Sequence, residues 1–208
     1  MNTKQILIVD FGMGNLASIK NMIKKVGGRS EISSDVNEIE KAEKIILPGV
    51  GAFAQGMKNI NEKGLKKVLD KKALKDKIPV MGICLGMQLL TNHSEEGNVD
   101  GLGWVDAETK KFNLDTSVWK IPHMGWTDVN PVQLHHKSLE NITAHPRYYF
   151  VHSYYVTCKK QENVLAKATY GITFDCGIVN ENIFGFQFHP EKSHKFGMEL
   201  MNNFIQNF

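Results

Sequence analysis

Cysteine is scarce in this chain of 208 residues: its three copies, Cys84, Cys158 and Cys176, are odd in number and show no C-x-x-C spacing. That excludes a disulfide framework or a zinc ribbon as the organising device. Long apolar runs are missing too, since no stretch approaches the roughly 20 residues that span a bilayer, and the amino terminus carries no signal-peptide pattern. A cytoplasmic location without membrane contact is expected. An excess of one charge is also lacking, with 25 Lys and Arg against 22 Asp and Glu and a net charge of +3. The local basic stretch Lys58 to Lys77 has leucine and valine at helical spacing between its lysines and no interleaved aromatics. It reads as a solvated helix face, so no nucleic-acid partner is expected. The histidines, including His123, His152 and the pair His135-His136, lack metal-ligand spacing and read as structural or surface residues, with His123 and His152 expected to line the site region, so neither a metal nor a cofactor is expected. Repeats, linkers and low-complexity tracts are absent, which points to one domain over residues 1–208.

What is present alternates in the manner of an α/β fold. Strands are expected at Gln5 to Val9, Ser30 to Ser33, Lys44 to Leu47 and Ile78 to Ile83. Helical stretches separate them, among them Leu16 to Val26 with Leu16, Ile19, Met22, Ile23 and Val26 on one face and Gly27-Gly28 as its end. This is the pattern of a mostly parallel sheet flanked by helices. The second half is richer in strands, at Lys110 to Phe112, Tyr148 to Thr157, Val164 to Tyr170, Ile172 to Val179 and Asn182 to Phe188, and suggests antiparallel, hairpin-like additions. Ser193 has the character of an N-cap for a closing helix through Phe196, Leu200 and Phe204.

The most informative motif is Gly82-Ile83-Cys84-Leu85-Gly86. It follows a short apolar strand and leads into Met87-Gln88-Leu89-Leu90, the strand–turn–helix context of a nucleophile elbow. Glycines on both sides are expected to allow the sharp turn, and a helix N-terminus favours a thiolate at Cys84. Far along the chain, Phe184-Gly185-Phe186-Gln187-Phe188-His189-Pro190-Glu191 reads as a strand ending in a base, His189, with a carboxylate, Glu191, two residues on. A cysteine nucleophile requires such a base and such an orienting group.

A second motif competes. Gly12-Met13-Gly14-Asn15-Leu16-Ala17 fits G-x-G-x-x-A after the first strand, and Asp35 lies near the distance of a ribose-binding acid. Alone it supports a nucleotide-binding protein without the cysteine chemistry.

Pro48-Gly49-Val50-Gly51, Gly82 to Leu90 and His189-Pro190-Glu191 together resemble the class I (triad) glutamine amidotransferases, whose fold is flavodoxin-like. Asp10 to Asn15, Pro122-His123-Met124-Gly125-Trp126 and Tyr149 to Tyr154 narrow the resemblance to the glutaminase subunits of imidazole glycerol phosphate synthases, over nearly the whole chain. The resemblance implies a catalytic Cys84, His189 and Glu191 acting on L-glutamine. It implies an oxyanion hole from the Leu85 N–H and the loop amides of Val50 or Gly51, and substrate contacts at Gly49, Gln88, Ser153 and Tyr154. It also implies a separate (β/α)8 cyclase subunit that receives the ammonia, met by a face including Met13, Asn15, Trp126 and Lys192. Two positions depart from the family: Thr127 stands where Asn is usual and Phe11 where Tyr is commoner. Ser193 to Gly197 also resembles a branch in which the same chemistry supplies ammonia for amidination of a surface-polysaccharide or flagellin sugar.

Overall fold

The computed structural model describes residues 5–208. Its first half runs β1 (Ile6–Val9), α1 (Leu16–Lys25), β2 (Ser30–Ser33), α2 (Val36–Lys41), β3 (Lys44–Leu47), α3 (Phe53–Glu62), α4 (Leu65–Asp70), β4 (Val80–Ile83) and α5 (Leu85–Leu89). The second half holds β5 (His93–Ser94), β6 (Val99–Asp100), β7 (Ala107–Lys111), β8 (His123–Pro131), β9 (Arg147–His152) and β10 (Tyr154–Cys158). It closes with β11 (Val164–Tyr170), β12 (Ile172–Asn180), β13 (Ile183–Phe186) and α6 (His194–Gln206).

The parallel core has the order β2-β1-β3-β4-β13. Its strands alternate between two faces, as the two-residue period of a strand demands. Ile8, Ile46, Met81 and Phe184 stand side by side across four strands on one face, under α1 and α6. Leu7, Val9, Ile45 and Leu47 face the other way, under Phe53, Met57 and Ile60 of α3 and Leu65 and Leu69 of α4. All eight strand residues are buried, each contributing about 1.5–3 kcal/mol of burial, which is why these strands read as unbroken apolar runs. The buried Lys44 is held inside the fold by donating to the carbonyls of Phe204 (3.2 Å) and Ile205 (2.7 Å), where the last turn of α6 exposes its acceptors.

The expected strand-rich half is present, with two differences. β13 is not a hairpin addition alone: it pairs antiparallel with β12 but parallel with β4, and so returns the chain to the centre of the core sheet. The expected strand Tyr148 to Thr157 divides at Ser153, because β9 pairs with β8 whereas β10 pairs with β7 and β12. The lysine-rich helix also breaks, at Gly64 with φ 68°, and Lys72 turns inward to donate to the Glu40 carbonyl (3.0 Å) and pair with Asp76 (3.0 Å). Among the described residues no helix is long and apolar enough to cross a membrane.

Candidate active site

β4 ends at Ile83 and α5 begins at Leu85, so Cys84 alone turns the chain from strand to helix. It does so at φ 53° and ψ −112°, a region that L-residues avoid at a cost of order 1–3 kcal/mol. Its N–H donates to the Phe186 carbonyl (2.8 Å) and its carbonyl accepts from the Gln88 N–H (3.2 Å), so β13 and α5 hold the strained residue from both sides. The expected role of the flanking glycines is corrected here, since neither Gly82 nor Gly86 has positive φ. A Cβ on Gly86 would lie 1.7 Å from the Leu47 carbonyl oxygen, and one on Gly82 would lie 2.7 Å from that of Gly86. Glycine at these positions lets α5 pack onto β3 and β4; the cysteine itself makes the bend.

Because β13 lies beside β4, its continuation carries His189 to the Cys84 elbow. His189 Nδ1 donates to Glu191 Oε1 at 2.8 Å, and both side chains are buried, at 3% and 2% exposure. Burial lowers the His189 pKa, but the Cys84 side chain and the Glu191 carboxylate raise it further, to about 10. Pro190 opens a short 3-10 turn, Pro190–Lys192, that folds Glu191 back under the imidazole. Ser193 stands at the N-cap position of α6 but makes no capping bond, which corrects the expectation. Its hydroxyl donates to the His189 carbonyl (2.6 Å) and accepts from the Tyr149 N–H (3.0 Å), tying the catalytic turn to β9.

A cleft of about 470 Å³ opens above Cys84. Of the expected site residues, Val50, Gly51, Leu85, Gln88, Ser153, Tyr154, His189 and Lys192 line it together with Cys84. Glu191 stands behind His189. Gly49 does not line the cleft; its carbonyl accepts the Leu85 N–H at 3.3 Å. In this structure that donor is therefore engaged by the protein and is not turned to an oxyanion. Of the two histidines expected to line the site region, His152 lines the cleft and His123 does not; Glu96 lines it too, beyond the residues that the sequence points to. Glu96 is positioned by accepting from the Phe53 N–H at the start of α3 (2.8 Å), a long-range contact that no local motif announces.

A chain of hydrogen bonds runs behind the cleft. His152 Nδ1 lies 2.7 Å from the Tyr154 carbonyl oxygen, which can only accept, so this nitrogen carries the proton. His152 Nε2 then accepts from His123 Nδ1 (2.9 Å), and His123 Nε2 accepts from the Thr127 hydroxyl (2.8 Å). Burial holds both imidazoles neutral, lowering His123 to about 4 and His152 to about 3.

Of the expected contact residues, Trp126 stacks on His194 with ring planes 3° apart, and Lys192 lies over the Tyr149 ring at 5.9 Å. Met13 leans over Gly51, where a Cβ would come within 2.6 Å of its methyl, and Asn15 caps α1 by accepting from Ser18 N–H (3.3 Å). The residues of the competing nucleotide motif are engaged otherwise. Asp10 accepts from the Gly12 N–H (2.8 Å), and Asp35 caps α2 by accepting from Asn37 and Glu38 N–H groups (2.7 and 3.1 Å).

Comparison with known proteins agrees with this geometry. The glutamine amidotransferase class-I family matches residues 7–208. The imidazole glycerol phosphate synthase subunit HisH 2 of Methanococcus maripaludis is 52% identical over 97% of this chain and 98% of its own. The subunit of the same name from Pseudomonas aeruginosa is 48% identical with the same coverage. The HisH subunit of Leptospira interrogans is 44% identical over 95% of this chain and 97% of its own. Among solved structures, PurLQS from Thermotoga maritima superposes with a TM-score of 0.74 at 18% identity, over 99% of this chain and 98% of that one, which speaks to the fold. The chain belongs to the class I glutamine amidotransferases.

Proposed function

We propose that this protein is the glutaminase subunit of an imidazole glycerol phosphate synthase, a cytoplasmic enzyme of histidine biosynthesis, and passes ammonia to a cyclase subunit. The observation that carries the reading is the His189–Glu191 pair at 2.8 Å, delivered by β13 to the strained Cys84. Glu191 holds the imidazole through Nδ1, which turns Nε2 to Cys84, and the raised pKa of His189 lets Nε2 keep the proton that the sulfur gives up. The sulfur adds to the side-chain carboxamide carbon of glutamine and forms a tetrahedral oxyanion. Proton return from His189 releases ammonia and leaves a thioester. Water, deprotonated by His189, then cleaves that thioester to glutamate and restores the thiol.

The cleft suits the rest of the substrate. Glu96 offers a carboxylate to the α-ammonium group, and Gln88 and the backbone at Ser153-Tyr154 offer polar contacts to the α-carbon substituents. Trp126, Lys192 and Asn15 are exposed and Met13 packs on Gly51, which suits them to meet the partner.

The test is glutamate release from glutamine by the wild type and by Cys84→Ala, each alone and with the histidine-pathway cyclase and its nucleotide ligand. Stimulated release by the wild type but not by the variant supports the assignment. Two of the relatives are named as a second HisH, so the barrel of a sugar-amidinating system is assayed in parallel. Turnover with that barrel only would move the ammonia to glycan modification and reject the histidine assignment.

A further inference from the structure

Gln187 is completely buried between Phe186 and Phe188, and it has no part in the triad chemistry. Its Nε2 lies 3.7 Å from Cys84 Sγ, and its Oε1 accepts from Gln88 Nε2 at 2.9 Å. The same Gln88 nitrogen donates to the Tyr154 carbonyl at 3.2 Å. A main-chain carbonyl can only accept, so Tyr154 fixes which end of the Gln88 amide faces it. Both Gln88 N–H groups are then committed, one to Tyr154 and one to Gln187. The Gln187 oxygen must face Gln88, and its nitrogen must face the sulfur. The orientation of two side-chain amides is thus dictated by one backbone oxygen.

We propose that Gln187 is a positioning residue for Cys84, its carboxamide N–H aimed at the sulfur by a relay that starts at the Tyr154 carbonyl and passes through Gln88. A thiolate accepts such a bond far better than a thiol, so the contact favours the attacking form of the nucleophile. The relay also couples substrate binding to the nucleophile. Gln88 lines the substrate cleft and grips Gln187, so the group that meets glutamine also sets the donor beside the sulfur. This inference rests on the glutaminase reading for its effect on turnover, but its effect on the sulfur stands without it.

The experiment follows alkylation of Cys84 by iodoacetamide from pH 5 to 10, read on the Cys84 peptide by mass spectrometry, for the full chain as wild type, Q187M and Q187E. Methionine keeps the length and removes the donor; glutamate keeps the acceptor for Gln88 and places a carboxylate oxygen where the N–H was. The midpoint of the pH–rate profile should rise by about one unit in Q187M, the shift expected from one lost charge-assisted bond, and further in Q187E. With the cyclase present, kcat should fall while KM for glutamine stays within about twofold. A purely structural Gln187 would lower the melting temperature and leave the midpoint in place, and a wild-type midpoint in Q187M overturns the proposal. If Q187M does not fold, the midpoint of Q187E decides. Should the wild type release no glutamate with any partner, the functional reading fails while the midpoints still settle the role of Gln187.

Discussion

The N–H of Leu85 donates to the carbonyl of Gly49 at 3.3 Å, and this bond places an acceptor where an oxyanion would need a donor. Loss of one such donor costs roughly 3 kcal/mol, a hundredfold or more in rate. The outer side of the Gly49 loop is uncovered at Val50, which is 43% exposed, and Met13, one of the residues assigned to the partner, rests on the loop at Gly51. Partner binding is therefore expected to release Leu85 by displacing the loop.

Two reactions of the same thiol should then respond differently to the partner. Glutamine turnover, which builds an oxyanion, should rise by about a hundredfold with the liganded cyclase. Alkylation by iodoacetamide builds none and should barely change. Equal stimulation of both would show that the partner acts on the nucleophile and not on the loop.

Labelling should also discriminate among the three cysteines. Burial raises the Cys158 thiol well above its usual range, with Asp175 adding to it, and the fully buried Cys176 is raised by the same two causes. Cys84 lines the open cleft beside His189. Brief treatment with a glutamine-like electrophile at pH 7.5 should modify Cys84 and spare the other two, and Cys84→Ala should abolish labelling. Comparable labelling of Cys158 contradicts the assignment.

The triad is legible in the sequence because each member sits in a local pattern: a thiol with a glycine two residues to either side after an apolar strand, and a base and acid spaced by one proline. Strands such as Lys44–Leu47 and Val164–Tyr170 are equally plain, since burial on one or both faces writes itself as apolar residues. Relations across the fold are not legible. Nothing local tells Ser193 to abandon capping for the His189 carbonyl, or tells Gly49 to bind the Leu85 amide. Gln187 lies between the aromatics that lead to His189, yet its role depends on Tyr154, which the chain meets 33 residues earlier and the fold places beside Gln88. β8 shows in the sequence as a motif and not as a strand, because most of its residues face outward or half outward and leave no apolar alternation to detect.

Thr127, the departure from the family pattern, donates its hydroxyl to His123 Nε2. Thr127→Val would leave that buried nitrogen without a donor, at about 1–3 kcal/mol, whereas Thr127→Ser keeps the bond. Urea unfolding at pH 7.5 should show the loss for valine only. The histidine pair also predicts an acid limb. Folded pKa values of about 4 for His123 and about 3 for His152 lie below the ordinary 6.5, so the unfolded chain binds protons first. Their contribution is complete above pH 6.5 and is lost as pH falls from 6.5 towards 3. Flat stability between pH 6.5 and 4.5 would contradict neutral, buried imidazoles.

His189 has the opposite sign, and Glu191 is the means to test it. Its pKa of about 10 exceeds the ordinary 6.5, so the folded state holds the proton more tightly than the unfolded one. The stability this provides is fully present below pH 6.5 and is lost as pH rises from 6.5 to about 10. Glu191→Gln removes one of the two contacts that raise the value, so the alkaline loss should end at lower pH in that variant. The same substitution leaves the imidazole without an anionic partner when it takes the Cys84 proton, and kcat should fall roughly 10²- to 10⁴-fold with little change in KM. Melting temperatures from pH 6 to 11 and partner-stimulated kinetics at pH 7.5 give the two readouts. If the stability curve of Glu191→Gln superimposes on the wild type while kcat falls, the carboxylate acts on geometry alone, and the electrostatic account of the pair is wrong.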